Sequence, residues 1–477
     1  MKREIDELFN SLEGYWGRRI ATQLKIAEEV ACDDTSLIAD IEQAVGFIKG
    51  QFKAQKCITE ADVKRAEGLL EAVSKKAKEY EILLAAHAHI DMNWMWGHDE
   101  TVALTVATLR TMLVLMDEYP DFCYSQSQAS VYSIIEEYAP DLLPKIKARI
   151  KEGRWEVAAA TWVEGDKNMA NGEALIRQYT LTKSYLKGLL ELSDDDFDLD
   201  FQPDTFGHNK NMPSIMQACG VKYYYHCRGK KTPSIYRWVD ESGAEVLAYR
   251  NNYWYGGVID SNTFIGNITA MKELKTNVLL RLYGVGDHGG GASRRDIDRI
   301  HDMAGWAVMP RLTLSPMRAF YKRLEGLREN LPIHVGEVNP LFTGCYTSQS
   351  EIKKSNVLGE RILLRAESSG ALVKALGLPL PNVNNLDNAW KRQVFMHFHD
   401  ILPGSCVFET RCYALGEGQQ RDAQANNAFT ENMRKKSLKF INSPRRVERI
   451  SQITETGGSV YFIRFCMNGE RKSLKNA

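Results

Sequence analysis

From Glu81 onward, short apolar runs alternate with amphipathic stretches, and this alternation most narrows the folds open to the chain. Ile82-Leu83-Leu84-Ala85-Ala86 is followed by the helical pattern of Val102 to Met116, and then by Trp155 to Ala159. The same order recurs with Phe197 to Phe201 before Ser214 to Ala218, and with Val278 to Tyr283 before Arg295 to Met303. Strand, helix, strand in series predicts parallel βα units. One hairpin is inserted: in RWVDESGAEVLAYR, Ser242-Gly243 separates two strand-like runs.

The flanks read differently. Residues 1–80 predict helices, because apolar residues recur at spacings of three and four through Leu8, Leu12 and Tyr15 and again through Ile38, Ile41, Val45 and Ile48. From about Tyr346 to Lys439 helices return, with Leu358, Ile362, Leu363 and Leu372 on one expected inward face. A chain of 477 residues exceeds what one core usually organises. The expected class is α/β: a βα-barrel-like domain of mostly parallel strands at 81–345, N-terminal helices at 1–80, a helical domain at 346–440 and a divergent tail at 441–477. From Arg434 onward, eleven Lys or Arg face only Glu448, Glu455 and Glu470, as in a solvated tail.

Lys plus Arg and Asp plus Glu each total 61, a balance that argues against a nucleic-acid binder. The start, MKREIDELFNSLEGYWGRR, carries charges where a signal peptide needs an apolar run, and no apolar stretch of about 18 residues follows. The expectation is a cytoplasmic protein with no membrane partner. Nine cysteines from Cys32 to Cys466 include no CxxC pair and suit reduced thiols. Histidine and carboxylate are then the side chains left to hold a metal.

Histidine is scarce, yet His87, His89, His98, His208, His288, His397 and His399 fall in four short segments rich in Asp and Gly. In AAHAHIDMNW the apolar strand runs directly into His87, His89 and Asp91, at the strand end where βα folds build their sites. His89 and Asp91 are two apart, which in extended backbone puts both on one side. A loop hydrogen bond would use the same pair. In DLDFQPDTFGHN, Asp204 again stands at a strand exit, before a Gly207 turn and a helix near Met212, and a turn aspartate is the competing assignment.

In LRLYGVGDHGGGASRRD, Asp287 leads a three-glycine run expected to let the backbone approach a ligand. The run lacks both the Lys-Ser/Thr ending of a P-loop and the GxGxxG form of a dinucleotide turn. In MHFHDILPGS, His397, His399 and Asp400 precede a Pro-Gly stop. His397 reads as a core histidine. His399, with its Asp neighbour, would join His89, Asp91 and Asp204 in a set of two nitrogen and two carboxylate ligands, which suits zinc.

Together these segments resemble glycoside hydrolase family 38, the zinc α-mannosidases. HAHIDMNW is similar to the family's HxHxDxxW opening, GRWEVAAATWVEGDKN to its W-V/T-E strand, QPDTFGHN to its nucleophile motif, GDHGGG to its Gly-rich loop and FHDILPGS to its late zinc motif. The last two most resemble the branch containing bacterial cytoplasmic and yeast vacuolar enzymes. Five motifs in the family's order, between about residues 81 and 410, carry the likeness.

The resemblance implies Zn2+ held by His89, Asp91, Asp204 and His399, Asp204 as nucleophile and Asp287 as acid/base. It also implies Trp94 and Phe206 as walls of the sugar pocket, Asp400 as a partner of sugar hydroxyls, His208 behind the site, and Arg228, in YYYHCRGK, as a basic residue near the nucleophile. The implied partner is a mannose-containing oligosaccharide, and self-association is compatible with the sequence. Family members continue past the late motif into β-rich domains, which residues 441–477 do not resemble.

Chemistry agrees with that assignment. Retaining hydrolysis needs one carboxylate to form a glycosyl-enzyme and another carboxyl, usually about 5 to 5.5 Å away, to protonate the leaving oxygen. Asp204 and Asp287 are the candidates. A zinc-dependent carbohydrate deacetylase, which uses similar ligands on related barrels, and a mannoside-binding remnant without turnover are the alternative expectations.

Overall fold

The apolar runs become strands because they are bounded by turn residues and buried on both faces. The computed structural model describes residues 1–32, 34–229, 232–339, 341–380 and 384–441, so most of the predicted basic tail lies outside the described residues. Ten strands are present among these: β1 (Glu81–His87), β2 (Tyr124–Gln126), β3 (Trp155–Val157), β4 (Leu199–Gln202), β5 (Tyr223–His226), β6 (Ile235–Val239), β7 (Glu245–Arg250), β8 (Val278–Tyr283), β9 (Arg311–Leu314) and β10 (Ile333–Val335). They form two five-stranded sheets, one ordered β3-β2-β1-β8 with β9 also paired to β1, the other β10-β6-β7-β5-β4.

Every strand pair is parallel except β6–β7, the predicted hairpin, which runs from Ile235↔Tyr249 to Val239↔Glu245. A bridge between Ala159 and Asp200 links the two sheets. Alternate residues of β1 serve different cores: Leu83 and Ala85 pack with Phe201, Tyr225, Tyr249 and Leu280 between the sheets, while Ile82, Leu84 and Ala86 pack outward on the helices. This double-sided burial is what a parallel sheet wrapped by helices requires, and it gives the barrel-like interior that the sequence predicts.

Helices at Lys2–Ser11, Gly14–Ala31, Ile38–Gln55, Glu60–Leu69 and Glu71–Ala77 precede β1. They are tied to the α/β part by Glu29, whose carboxylate accepts from Gly266, Ile268 and Thr269 N–H at the start of helix Asn267–Glu273. The chain ends in helices Ser350–Ala375, Asn384–Phe395 and Phe408–Ile441. Here one expectation fails. Leu358 and Leu372 are exposed, whereas the inward face of Ser350–Ala375 runs through Ile352, Asn356, Gly359, Glu360, Leu363, Ala366, Ser369 and Gly370. At one end of this face the buried Arg421 bonds Gln393 Oε1 and Ser355 O and leaves no room for a side chain at Gly359. Ile362 and Leu363 are buried as expected, and small and polar residues share that face with them.

Candidate functional site

Because β1, β4, β5, β7 and β8 run in parallel within their sheets, the segments leaving their C-terminal ends carry His89 and Asp91, Asp204, Arg228, Trp254 with Tyr255, and Asp287. The Gly-rich segment folds back on the first of these. Asp91 N–H donates to Asp287 O at 3.0 Å, Gly289 N–H to His89 O at 3.2 Å, and Ile90 bridges His288. The glycines are required by this self-packing. A Cβ on Gly284, at φ 123°, would stand 2.3 Å from His87 O, and one on Gly289, at φ 71°, 2.5 Å from Thr108 Oγ1.

His399 comes from the helical region and is seated by main-chain bonds. Phe398 bridges Gly165, Asp166 N–H donates to His397 O at 2.7 Å, and Lys353 Nζ holds the Leu402 and Pro403 carbonyls at 2.9 and 3.2 Å. His399, His89, Asp91 and Asp204 all become buried.

The four predicted ligands are brought together. His89, Asp204 and His399 offer one ligand atom each within 4.8 Å of one another, as do Asp91, His399 and Asp400, and His89, Asp91 and Asp287. His399 Nε2 is 3.5 Å from Asp91 Oδ1, 3.7 Å from Asp204 Oδ2 and 3.4 Å from Asp400 Oδ2. His89 Nε2 lies 2.8 Å from Asp91 Oδ1 and its Nδ1 3.0 Å from Glu164 Oε2, neither with hydrogen-bond geometry. His399 Nδ1 is bonded to Glu164 O at 2.8 Å, which sets the tautomer and leaves its Nε2 without a partner.

Electrostatics carry the same message. Burial disfavours charge on His89, but Glu164 and Asp91 outweigh it and hold its pKa well above the usual value. Burial likewise opposes His399, yet Asp400, Asp91 and Asp204 lift it to about 9. Asp204 is raised by burial despite His399, His89 and Arg228, and Asp400 is raised to about 7 for the same first reason. Four buried carboxylates, counting Glu164, face two imidazoles whose Nε2 atoms lack hydrogen bonds. This is an arrangement that a divalent cation would satisfy. Two nitrogen and two or more carboxylate donors, with an imidazole oriented from behind by a carbonyl, fit a zinc-like ion.

The cluster opens into a cavity of ≈ 560 Å³, lined by Asp91, Trp94, Asp204, Phe206, Asp287 and Asp400 among others. Arg228 Nε and Nη2 reach Asp204 Oδ1 at 2.8 and 2.5 Å, so one carboxylate oxygen faces the guanidinium and the other faces His399. Tyr255 O–H donates to Asp287 Oδ1 at 3.0 Å, and Asp287 itself is held at φ 63°. Ser405 O–H donates to Asp400.

His397, expected as a core histidine, and His208, expected behind the site, both lie outside this cavity. His397 is buried against Asn356 and Gln393, and His208 Nδ1 meets Tyr224 OH at 2.5 Å. His87, held down to about 4 by burial, bonds Ser125 O at 2.8 Å. Glu164, Trp254, Tyr255 and Phe342 were not anticipated individually. Only Glu164 had a signal, its place in the TWVEGD segment. Among the described residues, no helix is long and apolar enough to cross a membrane, and Cys57, Cys123, Cys219, Cys227, Cys345, Cys406 and Cys412 are free thiols.

Comparison with known proteins follows the same outline. The profile of the glycosyl hydrolases family 38 N-terminal domain matches residues 79–337, and that of the alpha mannosidase middle domain residues 340–436. Alpha-mannosidase G of Dictyostelium discoideum is 30% identical over 360 residues, covering 73% of this chain and 32% of its own length. Human alpha-mannosidase 2C1 is 30% identical over 343 residues, 69% of this chain and 32% of that protein. The chain thus spans about a third of the length of these curated relatives. The crystal structure of an α-mannosidase from Enterococcus faecalis superposes with a TM-score of 0.67 at 19% identity, over 75% of this chain and 43% of that one. At that identity the likeness is one of fold.

Proposed function

The chain belongs to glycoside hydrolase family 38, and from that premise we propose that it is a zinc-dependent, retaining α-mannosidase that removes terminal α-linked mannose from oligosaccharides. The observation that carries the proposal is the convergence of His89, Asp91, Asp204 and His399 at the floor of a cavity that also presents Asp287. Orphaned buried atoms on His89, Asp91 and His399, with Asp204 Oδ2 3.7 Å from His399 Nε2, support these four as the zinc ligands. The named relatives, α-mannosidases all, support the substrate class. Free thiols among the described residues, Cys227 and Cys345 buried among them, support a reducing, cytoplasmic location. In this proposal residues 81–345 are the catalytic domain and 346–440 the helical domain that supplies His399.

Asp204 Oδ attacks the anomeric carbon. As the glycosidic bond breaks, its electron pair goes to the leaving oxygen, and Asp287 gives that oxygen a proton. The carboxylate of Asp287 then takes a proton from water, whose oxygen displaces Asp204 from the sugar and regenerates both groups. Arg228 holds Asp204 Oδ1 at fixed orientation, and Tyr255 does the same for Asp287. Trp94 and Phe206 wall the sugar, and Asp400 accepts from its hydroxyls. When bound, zinc supplies Lewis-acid contact to vicinal hydroxyls, which orients the ring. Turnover of an aryl α-mannoside, abolished by a chelator and restored by zinc, is the expected result. No turnover of any α-mannoside by the zinc-loaded protein would overturn the proposal.

A further inference from the structure

The cavity grades from a closed floor to an open mouth along two aromatic walls. Phe206 and Tyr255 are buried, at 7% and 4% exposure. Phe342 lies 5.3 Å from Phe206 and Trp254 lies 4.7 Å from Tyr255, ring centroid to centroid, and these outer rings are 56% and 43% exposed. Between them stands Arg228, its guanidinium 5.2 Å from the Phe342 ring and 5.1 Å from that of Trp254. The charge of Arg228 is matched by Asp204. Both outer rings are therefore backed by a fixed, neutralised cation.

The backbone at these two positions is costly. Trp254 sits at φ 73° and Phe342 at φ 55°, a region that a bulky non-glycine residue occupies at a cost of order 1–3 kcal/mol. Folding gains little burial in return, since both rings remain open. Large aromatics held out of relaxed geometry at a cavity mouth are what a covering ligand would use.

We propose that Trp254 and Phe342 form the leaving-group subsite, where the next sugar of the substrate stacks its apolar C–H face on the exposed rings. The proposal rests on the α-mannosidase assignment and deepens it, because it names the residues that meet the leaving sugar of an oligosaccharide substrate. Tyr255 fixes where that group lies. Its hydroxyl bonds Asp287, the carboxyl assigned to the leaving oxygen, and its ring lies 4.7 Å from that of Trp254, which puts Trp254 beside the group on that oxygen. Among the described residues lining the cavity, Arg228 is the one cation and is already paired with Asp204, so an anionic leaving group gains nothing from it.

The test is calorimetric binding of two ligands to the zinc-loaded protein: methyl α-mannoside, and an α-mannobiose with sulfur in the bridge, which resists cleavage. The native protein is expected to bind the disaccharide about tenfold more tightly, the margin one stacked sugar would give. Trp254→Ala and Phe342→Ala should cut that margin to about threefold or less, and Trp254→Phe should keep most of it. Continued binding of methyl α-mannoside shows that the variants are folded. The proposal is overturned if the native protein shows no margin, if the alanine variants keep it, or if both ligands weaken equally. If the native protein binds neither ligand, the α-mannosidase assignment fails and the subsite falls with it.

Discussion

His399 donates its Nδ1–H to the main-chain carbonyl of Glu164 at 2.8 Å, and the side chain of that same glutamate lies 3.0 Å from His89 Nδ1. One buried residue thus backs both imidazoles of the candidate metal centre. Glu164→Gln keeps the carbonyl but removes the charge behind His89. Metal affinity, measured by chelator competition, is expected to fall about tenfold to hundredfold with one ion still bound. An unchanged affinity would deny Glu164 that orienting role.

The ligands themselves should behave differently. His89→Ala and His399→Ala each remove a nitrogen donor, and elemental analysis after dialysis is expected to find less than one ion per chain in both. Full retention in both variants would remove these histidines from the centre.

Metal binding should strengthen with pH. In the metal-free protein His399 has a pKa of about 9, above the roughly 6.5 of an unfolded chain. The folded state therefore holds this proton more tightly, a stabilisation complete below about pH 6.5 and lost as pH rises towards 9. Asp400, lifted to about 7 by burial, acts in the same direction at lower pH. A cation must displace the His399 proton. The metal-free Tm is expected to fall across this window, and the Tm gain on adding zinc to grow. A gain that shrinks as pH rises would contradict the assignment.

Much of this was legible in the sequence, for a simple reason: where an apolar run stops at a polar residue, a parallel strand ends and a site can begin. His89, Asp91, Asp204 and Asp287 all follow such stops. Tyr124–Gln126 was not legible as a strand, since Ser125 and Gln126 are polar yet buried, Ser125 donating to Glu156 and Gln126 bonding Ser127 O and Tyr124 O–H. Glu164 lies seven residues past the end of β3 in irregular chain, where no periodicity marks it. Trp254 and Phe342 read as ordinary loop aromatics until the fold brings them to Arg228. Leu358 and Leu372 misled because the buried face of their helix also takes small and polar residues, Gly359, Glu360 and Ser369 among them, which an apolar periodicity does not mark.

The Gly-rich loop makes a stability prediction. Gly284→Ala places a methyl against His87 O at a φ that disfavours side chains, and the expected loss is about 2–3 kcal/mol. Chemical denaturation checks it. A variant as stable as the native protein would mean that the β1 and β8 exits are not packed as described.

Asp287 as acid/base predicts a split between substrates. Asp287→Ala should cripple natural mannosides far more than aryl mannosides with activated leaving groups, and azide should restore part of the turnover. Equal losses without azide rescue would make Asp287 structural and turn attention to Asp400.

The central claim, that Asp204 attacks the sugar directly beside the metal centre, is tested most directly by proton NMR of the first-formed product from an aryl α-mannoside and the zinc-loaded protein. The account predicts that α-mannose appears first and then mutarotates. β-Mannose appearing first would contradict it.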